Sequence, residues 1–176
     1  YSAAAEVLAD LTLARRPPSL RAPTLSELSD AAVEPIEWYP DAADGAEELR
    51  SAVRQMLTLQ PDAARVFSLR DCHADNLIWL PERSGLARVG LLDFQDAFLA
   101  APAYDMASLL RDARRDIPQD VEHAAIAVFA TRRQEPPEVV RHAIAVAAIQ
   151  RNLRILFLFA RLASRDGKPA YLAHMP

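Results

Sequence analysis

The segment Leu69-Arg70-Asp71-Cys72-His73-Ala74-Asp75-Asn76 is followed, seventeen residues after its Asn, by Asp93 of Leu92-Asp93-Phe94-Gln95-Asp96. An Asp, an Asn five residues later and an Asp closing an apolar run are groups that one chemistry uses together. Phosphoryl transfer from a nucleotide needs one carboxylate to orient the acceptor hydroxyl and take its proton. It also needs two oxygen ligands to hold Mg²⁺ against the phosphates. Asp71 has the position of the base, Asn76 of the first metal ligand and Asp93 of the second. A neutral Asn binds the ion without adding repulsion against a triphosphate.

Each residue also has a plainer reading. Asp71 and Asp75 suit a solvated loop, Asn76 a turn, and Asp93 the end of a strand. The set carries the assignment, because the chain has only two Asn and one of them falls at the required spacing. Cys72, His73 and Asp75 invite a zinc reading. The chain has no second Cys, and His123, His142 and His174 show no matching spacing. Cys72 then reads as a small buried hydrophobe and His73 as a hydrogen-bonding residue that shapes the loop.

Working outward, residues 66–69, 77–80 and 88–92 read as strands, the last two forming a hairpin across the turn at 81–85. The polar candidates therefore sit at strand ends and on the connecting loop, where a rigid scaffold presents them. Alternation places Trp79 in the core. Beyond Asp93 the chain is helical: 104–114, then 119–132 with Pro118 at its first position, then about 138–164 with Gly167 as a left-handed cap. Val121, Ala124, Ala125, Val128 and Phe129 form the expected inner face of the second of these. The pairs Arg114-Arg115 and Arg132-Arg133 read as solvated faces. On the N-terminal side, 2–14 is helical, and prolines from Pro17 to Pro40 mark an irregular stretch. Asp44 caps a helix over 45–59 with Glu47 in capping-box position, and Pro61 stops it. The fold class is mainly α with a small β-hairpin.

With 176 residues, the chain suits one domain, 1–176, able to bury roughly 70% of the surface its unfolded chain exposes. A net charge of -4 with a pI near 5.6 leaves no basic footprint for nucleic acid. The single Cys excludes an intramolecular disulfide framework, and the first residues lack a basic signal start, which together point to the cytoplasm. The most apolar run, 143–159, contains Gln150, Arg151, Asn152 and Arg154, which speaks against a membrane span. The expected partner is a small molecule.

Asp71 to Asn76, then Leu91-Leu92-Asp93-Phe94-Gln95-Asp96-Ala97, then Pro102-Ala103-Tyr104-Asp105, resemble the aminoglycoside phosphotransferase and choline kinase superfamily. The stretches 150–154, 159–162 and 165–172 resemble its bacterial branch of anomeric N-acetylmuramate and N-acetylglucosamine kinases. The resemblance implies a protein-kinase-like fold, ATP as phosphate donor and Mg²⁺ as cofactor. The implied acceptor is an amino-sugar; an aminoglycoside or an amino alcohol is the alternative acceptor, and a non-catalytic kinase-like binding module is another reading. It makes Asp71 the base, Asn76 and Asp93 the metal ligands, and Asp105 the acid that braces the catalytic loop. His73, Gln95 and Asp96 would position the loop or the substrate. Leu69 stands where the family usually has a His, and Gln95 where protein kinases have a Gly. The chain has four Gly, none in a Gly-rich loop, and its one Lys is Lys168. The phosphate-covering loop and its Lys are therefore expected elsewhere, and this chain reads as the C-terminal, helical lobe.

Overall fold

Helix α6 (Pro137–Ser164) runs for 28 residues, roughly 42 Å at 1.5 Å per residue, and the fold is arranged around it. In the computed structural model, which describes residues 1–39, 43–60 and 65–175, it is joined by α1 (Ser2–Leu13), α2 (Leu25–Val33), α3 (Ala46–Leu57), α4 (Tyr104–Leu110) and α5 (Gln119–Arg133). Its N-terminal half contributes Val140, Ile144 and Ala147 to a core shared with α1, α4 and α5. Further along, Val146 and Phe157 close a second core with Ala32 and Val33 of α2, Ile36, and Val53 and Leu57 of α3. The same helix is long and apolar enough to cross a membrane, but half of its most apolar stretch is buried in the protein.

Four short strands make two antiparallel pairs. β2 (Leu77–Trp79) pairs with β3 (Val89–Leu91), Leu77 opposite Leu91, as the hairpin reading expects. β1 (Val66–Ser68) pairs with β4 (Phe98–Ala100), a strand the sequence reading did not contain. The β1–β4 pair clamps both ends of the polar region, since β1 leads into Asp71 and β4 leaves the Asp93 loop.

Several sequence expectations are corrected. The proline-marked stretch is not wholly irregular. Thr24 accepts from the Glu27 backbone N–H and Glu27 accepts from that of Thr24, a capping box that starts α2. Asp44 does not cap α3: it lies in a 3-10 turn (Ala43–Gly45), and Gly45 is the N-cap without a side-chain bond. Pro40 and Pro61 lie outside the described residues. α4 ends at Leu110 rather than near residue 114, because Asp112 accepts from the Arg114 backbone N–H at 3.2 Å and turns the chain. Pro118 is the N-cap of α5, and Pro137 opens α6. The buried face of α5 is Ala125, Ile126, Phe129 and Ala130, about one position round from the expected one, leaving Ala124 exposed. Gly167 does take a left-handed φ of 65°, and the Lys168 N–H returns to the Leu162 carbonyl at 3.0 Å.

Trp79 is 56% exposed, not a core residue. It shares the Leu77 face of the hairpin and lies on the open rim of a pocket that it lines with Ala3 and Ala4 of α1. There the Arg88 guanidinium stacks on its ring, 5.4 Å from the centroid. The Arg pairs are not plain solvated faces either. Arg115 pairs with Asp75, Arg132 with Asp10 at 2.7 Å, and the Arg133 side chain is only 10% exposed, reaching Thr12 and Glu135.

Candidate active site

β1 delivers the chain to a buried carboxylate. Asp105, in the first turn of α4, is 5% exposed and accepts from the Leu69 N–H at 2.7 Å, the Arg70 N–H at 3.1 Å and the Ser68 hydroxyl at 2.8 Å. These bonds fix a backbone that would otherwise be unfavourable, since Arg70 has φ 74°. A non-glycine residue in the left-handed region costs of order 1–3 kcal/mol and persists only where the surroundings hold it. The reversal at Arg70 turns Asp71 away from the core, half-buried at the loop's start.

The loop then closes on itself. The His73 N–H donates to the Asp71 carbonyl at 3.0 Å, and the Asn76 N–H to the His73 carbonyl at 2.9 Å, forming a 3-10 turn (Ala74–Asn76). Asn76 Nδ2 donates to the same Asp71 carbonyl at 2.9 Å. The Asn76 carbonyl accepts from the Leu92 N–H at 2.9 Å, which ties this loop to the next. Asp93 follows in a left-handed conformation, φ 56°, with Oδ2 3.4 Å from Asn76 Nδ2. Gln95 Nε2 donates to Asp93 Oδ1 at 2.8 Å. Asp71, His73, Asn76, Asp93 and Gln95 thus form one cluster, with strained residues entering it on each side.

His73 Nε2 lies 3.2 Å from Asn76 Nδ2 and is placed to accept from it, while Nδ1 is buried without a partner among the described residues. Burial, helped by the nearby Arg114, holds the His73 pKa below its usual value, which suits a neutral acceptor. Asp75 points away into ion pairs with Arg115 and, at 4.0 Å, with Arg114. Cys72 is buried, and burial raises its thiol pKa, consistent with an apolar filler. Among the described residues no three His, Cys, Asp or Glu side chains gather to hold an ion, so the zinc reading finds no ligand set. Mg²⁺ needs less from the protein. With Nδ2 committed to the Asp71 carbonyl, the Asn76 amide oxygen has no protein donor among the described residues. It and the Asp93 carboxylate make a pair of hard oxygen donors that fits Mg²⁺.

Behind the loop sits a residue to which the sequence reading gave no role. Arg151 is 2% exposed, and its Nε and one terminal nitrogen find no acceptor. Burial lowers its pKa, opposed by the charges of Tyr104, Asp71 and Asp112. The signal was present: a cation inside an apolar helical run is costly and needs a reason. On the outer side a cleft of about 290 Å³ opens beside the Asp93 loop. Gln95 and Asp96 line it together with Arg70, Tyr104, Glu27 of α2 and Arg154 of α6. Asp96 therefore faces the cleft, 4.0 Å from Arg70, and not the metal pair.

The Asp105 pKa is pushed up to about 6, because burial outweighs its three donors and the Arg151 charge. Its unfolded value is 3.8. Between these pH values the folded protein holds a proton that the unfolded chain has released. The stability this contributes is fully present below about pH 4 and lost as pH rises through about 6, with a slope near 1.4 kcal/mol per pH unit. Urea unfolding at about pH 4.5, 5.5 and 6.5 should show this slope in the difference between wild type and Asp105→Asn, which cancels the opposite pH drift contributed by the lowered His73.

The chain matches the phosphotransferase enzyme family over residues 1–148. It is 45% identical over 156 residues to an N-acetylmuramate/N-acetylglucosamine kinase of Caulobacter vibrioides, covering 80% of this chain and 41% of that protein. A protein of the same name from Pseudomonas aeruginosa is 37% identical over 119 residues, 64% of this chain and 34% of its own. One from Neisseria meningitidis is 32% identical over 96 residues. The chain thus spans less than half the length of these relatives.

Proposed function

We propose, because this chain belongs to the phosphotransferase enzyme family, that it carries the acceptor half of an ATP-dependent kinase acting on an amino-sugar hydroxyl. The observation that carries this is the convergence of Asp71, Asn76 and Asp93. Asn76 Nδ2 reaches the Asp71 carbonyl at 2.9 Å and Asp93 Oδ2 at 3.4 Å, joining two loops seventeen residues apart. In this reading Asp71 orients the attacking hydroxyl and accepts its proton as the oxygen–phosphorus bond forms and the bond to the departing ADP breaks. Asn76 and Asp93 would hold Mg²⁺, with Gln95 steadying the Asp93 carboxylate. Bound Mg²⁺ would supply charge neutralisation on the phosphates. Asp105 fixes the turn that presents Asp71. The phosphate-covering loop and its Lys lie on other residues of the polypeptide, so this chain alone transfers phosphate negligibly.

The named relatives support the amino-sugar as acceptor. The cleft supports it against the aminoglycoside alternative. Its lining carries Arg21, Arg70 and Arg154 against Glu27 and Asp96, a balance that repels a polycation. α2 contributes Glu27, Leu28 and Ala31 to this cleft, and α6 contributes Gln150 and Arg154. The test is turnover by the full-length protein with ATP, Mg²⁺ and a panel of amino-sugars and aminoglycosides, followed by NMR of the phosphorylated position. We expect phosphate on the anomeric oxygen of an N-acetylated amino-sugar. Phosphorylation of aminoglycosides alone, or of nothing in the panel, would overturn the proposal.

A further inference from the structure

We infer that Arg154 anchors a carboxylate on the acceptor, and so lets this site prefer an acidic amino-sugar over a neutral one. The inference rests on the amino-sugar reading above and names the chemical feature read by that cleft.

Three cations line the cleft, and two are already engaged. Arg21 is paired with Glu27, whose carboxyl is held down to about 2 by the Thr24 backbone N–H and by Arg21. Arg70 lies 4.0 Å from Asp96. Arg154 makes no ion pair or side-chain hydrogen bond among the described residues, yet it is half-buried on the wall of the cleft. A guanidinium presents a planar fork of donors that matches a carboxylate in a two-bond arrangement. Held partly out of water with no partner of its own, it favours an anionic ligand.

Its position suits a substituent and not the reacting hydroxyl. Gln95 links the cleft to the metal loop, since it lines the cleft and donates to Asp93 at 2.8 Å. Arg154 also lines the cleft, one helical turn beyond Gln150 on α6. Gln150 is itself fixed, its Nε2 donating to the Leu28 carbonyl at 3.0 Å and thereby locking α6 to α2. The cation therefore stands on a rigid element of the same cleft that Gln95 lines. A cleft of about 290 Å³ holds one monosaccharide with a short side group, near the lower bound of roughly 300 Å³ for small-molecule sites. Of the two sugars in the relatives' names, only N-acetylmuramate bears a carboxylate, on its lactyl ether.

The test uses the full-length protein, and compares kcat/KM for N-acetylmuramate, its methyl ester and N-acetylglucosamine. Wild type should treat the ester as it treats N-acetylglucosamine, well below the free acid. Arg154→Gln should lower kcat/KM for N-acetylmuramate about 10–100-fold, mainly through KM, the loss expected for a hydrogen bond to a charged group. It should lower kcat/KM for N-acetylglucosamine, which has no carboxylate to lose, much less, so that the preference for the acid falls. Arg154→Lys, which keeps the charge but loses the fork, should fall between. An equal loss on both sugars, or an ester handled as well as the acid, overturns the role of Arg154 and leaves the kinase reading standing. The ester comparison needs no variant to fold. Wild-type turnover of none of the three sugars overturns both.

Discussion

Asp71→Asn is expected to reduce kcat of the full-length protein about 10²–10⁴-fold, the range for loss of a general base, with little change in sugar KM. The substitution is isosteric and spares the fold for a specific reason. What the loop takes from residue 71 is its carbonyl, which accepts from Asn76 Nδ2 at 2.9 Å and from the His73 N–H at 3.0 Å. The Asp71 carboxylate makes no hydrogen bond among the described residues. The one structural cost is a weaker field for the buried Arg151, which Asp71 helps to keep charged. Stability should therefore shift by no more than about 1 kcal/mol. Steady-state kinetics and thermal unfolding on the same preparation check this. Near-normal turnover would remove Asp71 from the role of base.

The pattern of which residues were legible in the sequence has a physical basis. Asp71, Asn76 and Asp93 could be found because their spacing is short and fixed by a loop and a hairpin. One tight 3-10 turn and one two-stranded ladder bring them together, and both leave signatures in the sequence. Helix α6 could be found because 28 residues of apolar repeat need no partner to be recognised. Strand β4 was missed because three residues carry no measurable alternation, and its existence depends on β1, thirty residues earlier in the chain. Helix α2 was missed because Pro23 and Pro35 on either side of it outweigh, in the sequence pattern, the Thr24–Glu27 capping box.

The acceptor cleft was illegible for a different reason. It is assembled from α2, α6, the Asp93 loop and Tyr104, segments with no common local signal. Arg151 and Arg154 were visible as odd cations in an apolar run, but only the fold shows their difference. Arg151 faces inward under the catalytic loop, and Arg154 faces the cleft. Trp79 failed the other way: its alternation is real, but a pattern of period two does not say how fully the helices cover that face.

Asp105→Ala should lose stability and activity together, which separates it from Asp71→Asn. Removing the carboxylate takes an acceptor from three donors. Among the described residues the Leu69 N–H and the Ser68 O–H have no other acceptor, and only the Arg70 N–H keeps one, the Ser68 oxygen at 3.2 Å. A buried donor left unpaired costs about 1–3 kcal/mol, so the loss should be about 3–5 kcal/mol, a large part of a typical domain's margin. The same bonds hold Arg70 at φ 74°. Without them the turn can relax toward ordinary backbone, and Asp71 moves with it. A misplacement of about 1 Å at a reacting group is worth of order 10²-fold in rate, so turnover should fall by at least that even in the fraction that stays folded. Asp105→Asn should be milder, because its amide oxygen still accepts from one side while its NH₂ opposes a backbone N–H on the other. Measured by urea unfolding and by kcat corrected for the folded fraction, the order should be wild type, then Asp105→Asn, then Asp105→Ala in both quantities. An alanine variant of normal stability and normal kcat would mean that β1 and the β4 ladder, and not Asp105, hold the turn.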